Sequence, residues 1–308
     1  MKPDPTLFLG KHAALLSGIE VGLGSVLHGF RMPFSGQFLS LNQIFLLTRA
    51  LEKSRHIHPV PALVPATISN ISAVLKSLSP AGKKLTPMLA ISAQGFLYSL
   101  GPMLFGVGWT GTIVGSLLSG LWAFVQPLLL YYILFGHTLI QIGEYYYEKT
   151  QEAFPFDSSE LLLVLSIIVG IKLSFSIVAV ILAKKMSEPS TNKYQDHLLS
   201  LTKLRRGDLG AVTDQRGSVR RGMIFAFKDL CHPLFFISLL ATLFFFLYAE
   251  ATTSTIIWAL LRPIAVGFIG FFMIRVIDFE KMIRGQGGRR FPHFANALQE
   301  AIRELKKR

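Results

Sequence analysis

Two charged residues stand inside apolar runs. Glu20 sits in the first half of the stretch His12–Gln43, among Gly, Ala, Leu and Val, and Lys172 sits at the middle of an apolar run over about 160–183. An unpaired charge near the centre of a bilayer is costly, so such a residue finds a partner or marks a functional path. Both are expected to face inward, either as an ion pair with each other or on a route for ions. Two further pairs of polar side chains are four apart, Gln94 with Tyr98 and Trp122 with Gln126, so each pair shares one helix face. A mostly apolar pocket with a few directed amides and aromatics is what a small-molecule site needs. The same groups can instead hydrogen-bond between helices. Arg31 and Gln37 in one loop, with Lys83 and Lys84 in another, can hold a carboxylate or phosphate. They can equally meet lipid headgroups or solvent.

Other chemistry finds little footing. His56-Ile-His58 has the spacing of two metal ligands but no Cys or acid beside it, so no metal is expected. Gly207-Asp-Leu-Gly210 and Gly285-Gln-Gly-Gly288 lack the Gly-Lys-Ser/Thr of a phosphate loop. No nucleophile with a base and an orienting group can be assembled from spacing, and the isolated serines read as packing residues. The chain is therefore expected to be no enzyme, with no catalytic residues and no cofactor. The single cysteine, Cys231, allows no internal disulfide. A formal charge of +13 raises nucleic acid as a partner, but no recognisable module accompanies it.

The elements that would position these residues are membrane helices. Of 308 residues, 51% are hydrophobic and only 16% charged, against about 25% in a soluble domain. Mean hydropathy is +0.48. Residues 85–143 contain no Asp, Glu, Lys or Arg, room for two spans of about 20 residues each, with a turn at Gly106-Val-Gly-Trp-Thr-Gly111. The fold expected is an all-α integral membrane protein, a six-helix transmembrane bundle followed by a two-helix transmembrane hairpin. The spans fall at about 12–30, 39–51, 62–78, 87–106, from 110 towards Tyr147, and 160–183, with the hairpin at 231–249 and 254–275. The domains expected are the bundle at 1–184, a basic linker at 185–230 with a short helix near 194–204, the hairpin at 231–276 and a basic tail at 277–308. Lys53, Arg55, Lys184, Lys185, Arg205, Arg206, Arg220 and Arg221 all fall on one side if both termini are cytoplasmic, as the positive-inside rule requires. The location expected is a cell (inner) membrane, crossed many times.

Small residues recur at Ala14, Gly18 and Gly22, a smooth stripe on which another helix can lie closely. With the Pro33/Gly36 loop, the Leu39-Ser-Leu-Asn42 entry and Gly111-Thr-Ile-Val-Gly115, this order of parts resembles the substrate-binding S components of energy-coupling factor transporters, over about 12–184. The resemblance implies a vitamin or small-metabolite importer that binds solute in the outer half of the bundle. It also implies that Ala14, Gly18 and Gly22 dock on a transmembrane scaffold subunit driven by ATPase subunits. Gln37 and Asn42 would then lie in or beside a lid. The site expected combines Arg31, Gln37, Asn42, Lys83, Gln94, Tyr98, Trp122 and Gln126. S components end after six spans, whereas this chain goes on. The other reading is a non-transport assembly or lipid-interacting protein that works through its basic segments on the bilayer.

Overall fold

The computed structural model describes residues 4–29, 35–77, 85–136, 138–153, 158–186, 219–231, 233–248, 252–276 and 292–307. Eleven α-helices are described in chain order. They are α1 (Pro5–Gly29), α2 (Ser35–Ser54), α3 (Val64–Ser77, after a 3-10 turn at Pro61–Leu63), α4 (Leu85–Phe105), α5 (Trp109–Phe135), α6 (Thr138–Ala153), α7 (Ser158–Lys185), α8 (Val219–Leu230), α9 (Pro233–Tyr248), α10 (Thr253–Val276) and α11 (Pro292–Lys307). Among the described residues there is no strand. The expected helix near 194–204 lies outside them.

Four stretches are long and apolar enough to cross a bilayer: Thr86–Phe105, Trp109–Phe135, Leu162–Lys185 and Thr253–Gly270. Only 22% of the third and 11% of the fourth is buried by protein. Leu162 to Leu165, Ile167, Ile168 and Ile171 are all exposed on α7. Apolar surface on that scale is stable in hydrocarbon and not in water, so these helices fit a transmembrane protein. The expected count of six spans and two is coarser in the structure. α3 has 14 residues and α9 has 16, about 21 and 24 Å of helix, each short of an apolar core about 30 Å thick.

The chain forms two compact units. The first comprises Met1–Phe124, Val169–Asp214 and Phe279–Arg308; the second comprises Val125–Ile168 and Gln215–Asp278. This division differs from the expected one, because the middle of the chain groups with the hairpin and α11 groups with the first helices.

In the first unit the helices meet through small residues. α4 ends at Gly106, whose φ of +77° is the left-handed conformation that closes helices. Its partner α5 folds straight back, with Gly108 N–H donating to Gly106 O at 2.9 Å. The two backbones then touch: a Cβ on Gly101 would collide with Gly111 O and the Gly115 backbone, and one on Gly115 would collide with Tyr98 O. Gly101→Ala is therefore expected to cost about 1–3 kcal/mol, as overpacking does, read as a lower unfolding temperature in detergent. α3 lies on α4 with Ser69 against Gly95, and Ser99 Oγ accepts from Ala66 N–H (2.9 Å), satisfying an orphan donor of the first turn of α3.

α1 is held by α3 and α11. Ser72 Oγ donates to Ala13 O at 3.0 Å and Lys76 Nζ to Glu20 O at 2.8 Å. α11 lays Ala295, Ala297, Leu298 and Ala301 into the core, and Gly10 lets its backbone come close, since a Cβ there would stand 2.8 Å from Ala297 O. The tail helix is thus a core element. Ala14 (3% exposed) and Gly18 are buried inside this same core. That corrects the expectation of a partner-docking stripe: the face that spacing made smooth is covered by the chain itself. For Gly22 the helix is described and its surroundings are not.

In the second unit α5 stops where it was expected to run on. Gly136 takes φ +60°, its N–H bonds Tyr132 O at 2.7 Å, and α6 starts anew at Thr138. The Arg262 guanidinium lies against Gly136 at the end of α5, where a cation suits the helix dipole. Tyr145 of α6 meets Phe245 of α9 edge-on at 5.3 Å.

Candidate functional site

α2 and α7 run parallel in register. Near the start of α2, Lys172 Nζ donates to Gln37 O at 3.0 Å. Near its end, Arg49 Nη1 donates to Ala183 O at 3.0 Å and to Met186 O at 3.1 Å, so a buried arginine closes the last turn of α7. Glu52 pairs with Lys184 at 2.7 Å, and Lys184 also lies 4.7 Å over the Trp109 ring. Arg49 lies inside α2, with its charge spent on carbonyls that would otherwise be orphaned.

The other helices join at the same level as the Lys172 end. Gln43 Nε2 on α2 donates to Ile91 O of α4 at 2.9 Å and to Ser69 Oγ of α3 at 3.2 Å. α4 and α5 are antiparallel with Tyr98 against Gly115. One turn further, that register sets Gln94 opposite Ser119. Gly120 of α5 abuts Ser176 and Leu173 of α7, and Ser176 Oγ donates back to Lys172 O at 3.1 Å. One layer of the unit therefore contains Gln37, Ser40 and Gln43 from α2, Gln94 from α4, Ser119 and Trp122 from α5, and Lys172 and Ser176 from α7.

Several polar atoms in this layer have no partner among the described residues. Gln37 Oε1, Ser40 Oγ, Gln43 Oε1, Ser119 Oγ and Trp122 Nε1 are buried without a hydrogen bond. Ser40 is 1% exposed and Ser119 0%. Buried polar groups are almost always paired, so a cluster of orphans calls for an explanation. Lys172 sharpens it. The ammonium has three hydrogens and is 6% exposed, its hydrogen bond goes to a neutral carbonyl, and no ion pair to it occurs among the described residues. A buried cation without a counter-charge is far more costly than a paired one. The layer offers donors to an anion from Lys172, Trp122 Nε1 and the serine hydroxyls, and acceptors from Gln37 Oε1 and Gln43 Oε1 to an N–H or O–H beside that anion.

The sequence expectations divide. Glu20 and Lys172 both face inward, but not towards each other: the cation beside Glu20 is Lys76 of α3, and Lys172 meets Gln37. Their expected pairing is corrected. Gln37, Gln94 and Trp122 belong to the layer. Tyr98 is buried with its hydroxyl 2.7 Å from Thr48 Oγ1, a bond between helices. Asn42 is buried on α2. Gln126 is buried and belongs to the second unit. Arg31, Lys83 and Lys84 lie outside the described residues.

Ser40, Gln43, Ser119 and Ser176 were not singled out from sequence, and Ser119, read as packing, has an unpaired hydroxyl. The available signal was the recurrence of Gln37, Ser40 and Gln43 at every third position on one helix face. Away from this layer, Asp4, Thr6, Asn296, Gln299, Glu300 and Arg303 line an open cleft of about 320 Å³, in which Arg303 and Glu300 already pair at 3.4 Å. No group of three potential metal ligands occurs among the described residues. No family model, curated protein or solved structure matches the chain.

Proposed function

We propose that this chain is a membrane solute-capture protein that binds a small anionic metabolite in the Lys172 layer. The observation that carries the reading is Lys172 itself, a buried ammonium with no counter-charge among the described residues, beside orphaned hydrogen-bonding groups from two other helices, α2 and α5. In this reading α1 to α5 and α7 make six crossings, the short α3 being matched by the 3-10 turn before it and by local thinning of the bilayer, and α9 and α10 make a hairpin with the end of α8. Lys53, in the last turn of α2, and Arg55, just after it, lie at its far end. The positive-inside rule puts that end in the cytoplasm, with both termini, and the Lys172 layer in the outer half. An entry side facing outward suits uptake, and this agrees with the resemblance to S components of energy-coupling factor transporters. Transmembrane scaffold and ATPase subunits are then the partners that drive release inward. With Ala14 and Gly18 covered, docking uses another surface.

Binding is read from tryptophan emission, since one of the three tryptophans lies in the layer. Titrating the detergent-solubilised protein with small carboxylates and phosphates is expected to shift emission saturably for one class. Trp122→Phe keeps the ring volume and removes only the Nε1–H donor. It is expected to abolish the emission change and to weaken binding, followed by thermal shift, about tenfold, a charge-assisted hydrogen bond contributing about 1.5–3 kcal/mol. If no anion shifts emission or melting, and phospholipid alone stabilises the protein, the lipid-interacting reading takes its place.

A further inference from the structure

A second binding surface lies on α8, in the other unit, and is independent of the Lys172 site. α8 has one face against α10: Ala226 is fully buried, and Gly267 leaves room for Leu230 and Phe235, whose nearest atoms would stand 3.2 and 3.7 Å from a Cβ at 267. Met223, Ile224 and Phe227 are 49%, 59% and 64% exposed. Those three positions form one stripe at helical spacing. Lys228 is exposed beside it, and the sequence places Arg220 and Arg221 in the first turn, with Asp229 the only acid.

The length of α9 sets the depth. Its 16 residues make about 24 Å of helix, about 6 Å short of the apolar core. α8 precedes it with only Cys231 and His232 between, and Leu230 meets α10 at Gly267, nine residues before the end of α10 at Val276. The last turn of α8 therefore completes the crossing. Phe227 falls at the hydrocarbon edge, and the first turn, with its arginines, falls among the headgroups. An apolar stripe of this kind edged with cations is the composition of a helix that enters an anionic interface.

We infer that α8 is a binding site for anionic phospholipid, with Met223, Ile224 and Phe227 among the upper acyl carbons and Lys228 on the headgroups, in a helix whose first turn carries two further cations in sequence. The charge complement selects the occupant: a neutral lipid or an apolar helix of a second copy would leave the cations without counter-charge. The site anchors α8 to the leaflet it faces.

The sole cysteine, Cys231, is exposed at the α8–α9 junction and reports directly. The full-length protein, labelled there with an environment-sensitive fluorophore, is reconstituted in equimolar phosphatidylcholine and phosphatidylglycerol, with one or the other brominated. Both brominated lipids are expected to quench, phosphatidylglycerol more strongly. Lys228→Gln is expected to lower that preference about fivefold, the effect of one charge near an anionic surface, and R220Q/R221Q/K228Q to bring it to parity. Equal quenching by both lipids in the unaltered protein overturns the anionic-lipid site. Absence of quenching by either overturns any lipid contact and leaves a protein partner or water at the junction.

Discussion

Lys172→Met is expected to make the ligand-free protein more stable while removing its affinity for anionic solute. Methionine has nearly the volume of the lysine stem and carries no charge into the bundle. Replacing buried charges with well-packed apolar side chains is often neutral or stabilising, by about 1–4 kcal/mol. The bond lost, to Gln37 O at 3.0 Å, costs little, because that carbonyl still accepts within α2. Affinity moves the other way. An anion that loses its buried cation forfeits about 3 kcal/mol, roughly a 150-fold weaker Kd. Melting curves with and without ligand read both effects, and the opposite signs are diagnostic. A lysine that merely staples α2 to α7 would, once replaced, lower stability and leave binding intact.

Arg49→Ala is expected to be the most destabilising of the replacements considered, by about 3 kcal/mol. Its guanidinium bonds the carbonyls of Ala183 and Met186 from inside the unit. Hydrogen bonds to a charged group contribute about 1.5–3 kcal/mol each, and an unsatisfied buried carbonyl costs further. Arg49→Lys keeps the charge but replaces the long planar guanidinium, whose Nη1 reaches both carbonyls, with a compact ammonium on a shorter stem, and is expected to recover less than half of the loss. Thermal unfolding in detergent compares the three proteins. Because the Glu52–Lys184 pair still ties α2 to α7, the fold survives and the difference can be measured.

The residues that read well from sequence are those whose signal is local. Within the charge-free stretch 85–143, residues 85–135 form two apolar helices turning at Gly106, where a positive φ and small residues let the hairpin close. The inward orientation of Glu20 and Lys172 followed from the cost of a charge in an apolar surrounding. Their partners did not follow: which helix lies beside α1 depends on packing, and Lys76 sits near the end of the short α3, where spacing alone does not point it at Glu20. Ala14 and Gly18 show the same limit. Spacing makes a stripe smooth but does not say what covers it. Ser119 and Ser40 are informative only because no acceptor or donor among the described residues stands opposite them, a property of the assembled layer. Gly136 hid the break between α5 and α6, since the apolar pattern crosses it without interruption.

Native mass spectrometry of the wild-type protein and Lys172→Met, purified side by side in mild detergent, tests the central claim most directly. The wild type is expected to carry one small water-soluble anion per chain, absent from Lys172→Met, with phospholipid adducts the same in both. Identical small-molecule adducts in the two proteins, or phospholipid alone in both after anionic metabolites are added, would contradict solute capture at Lys172.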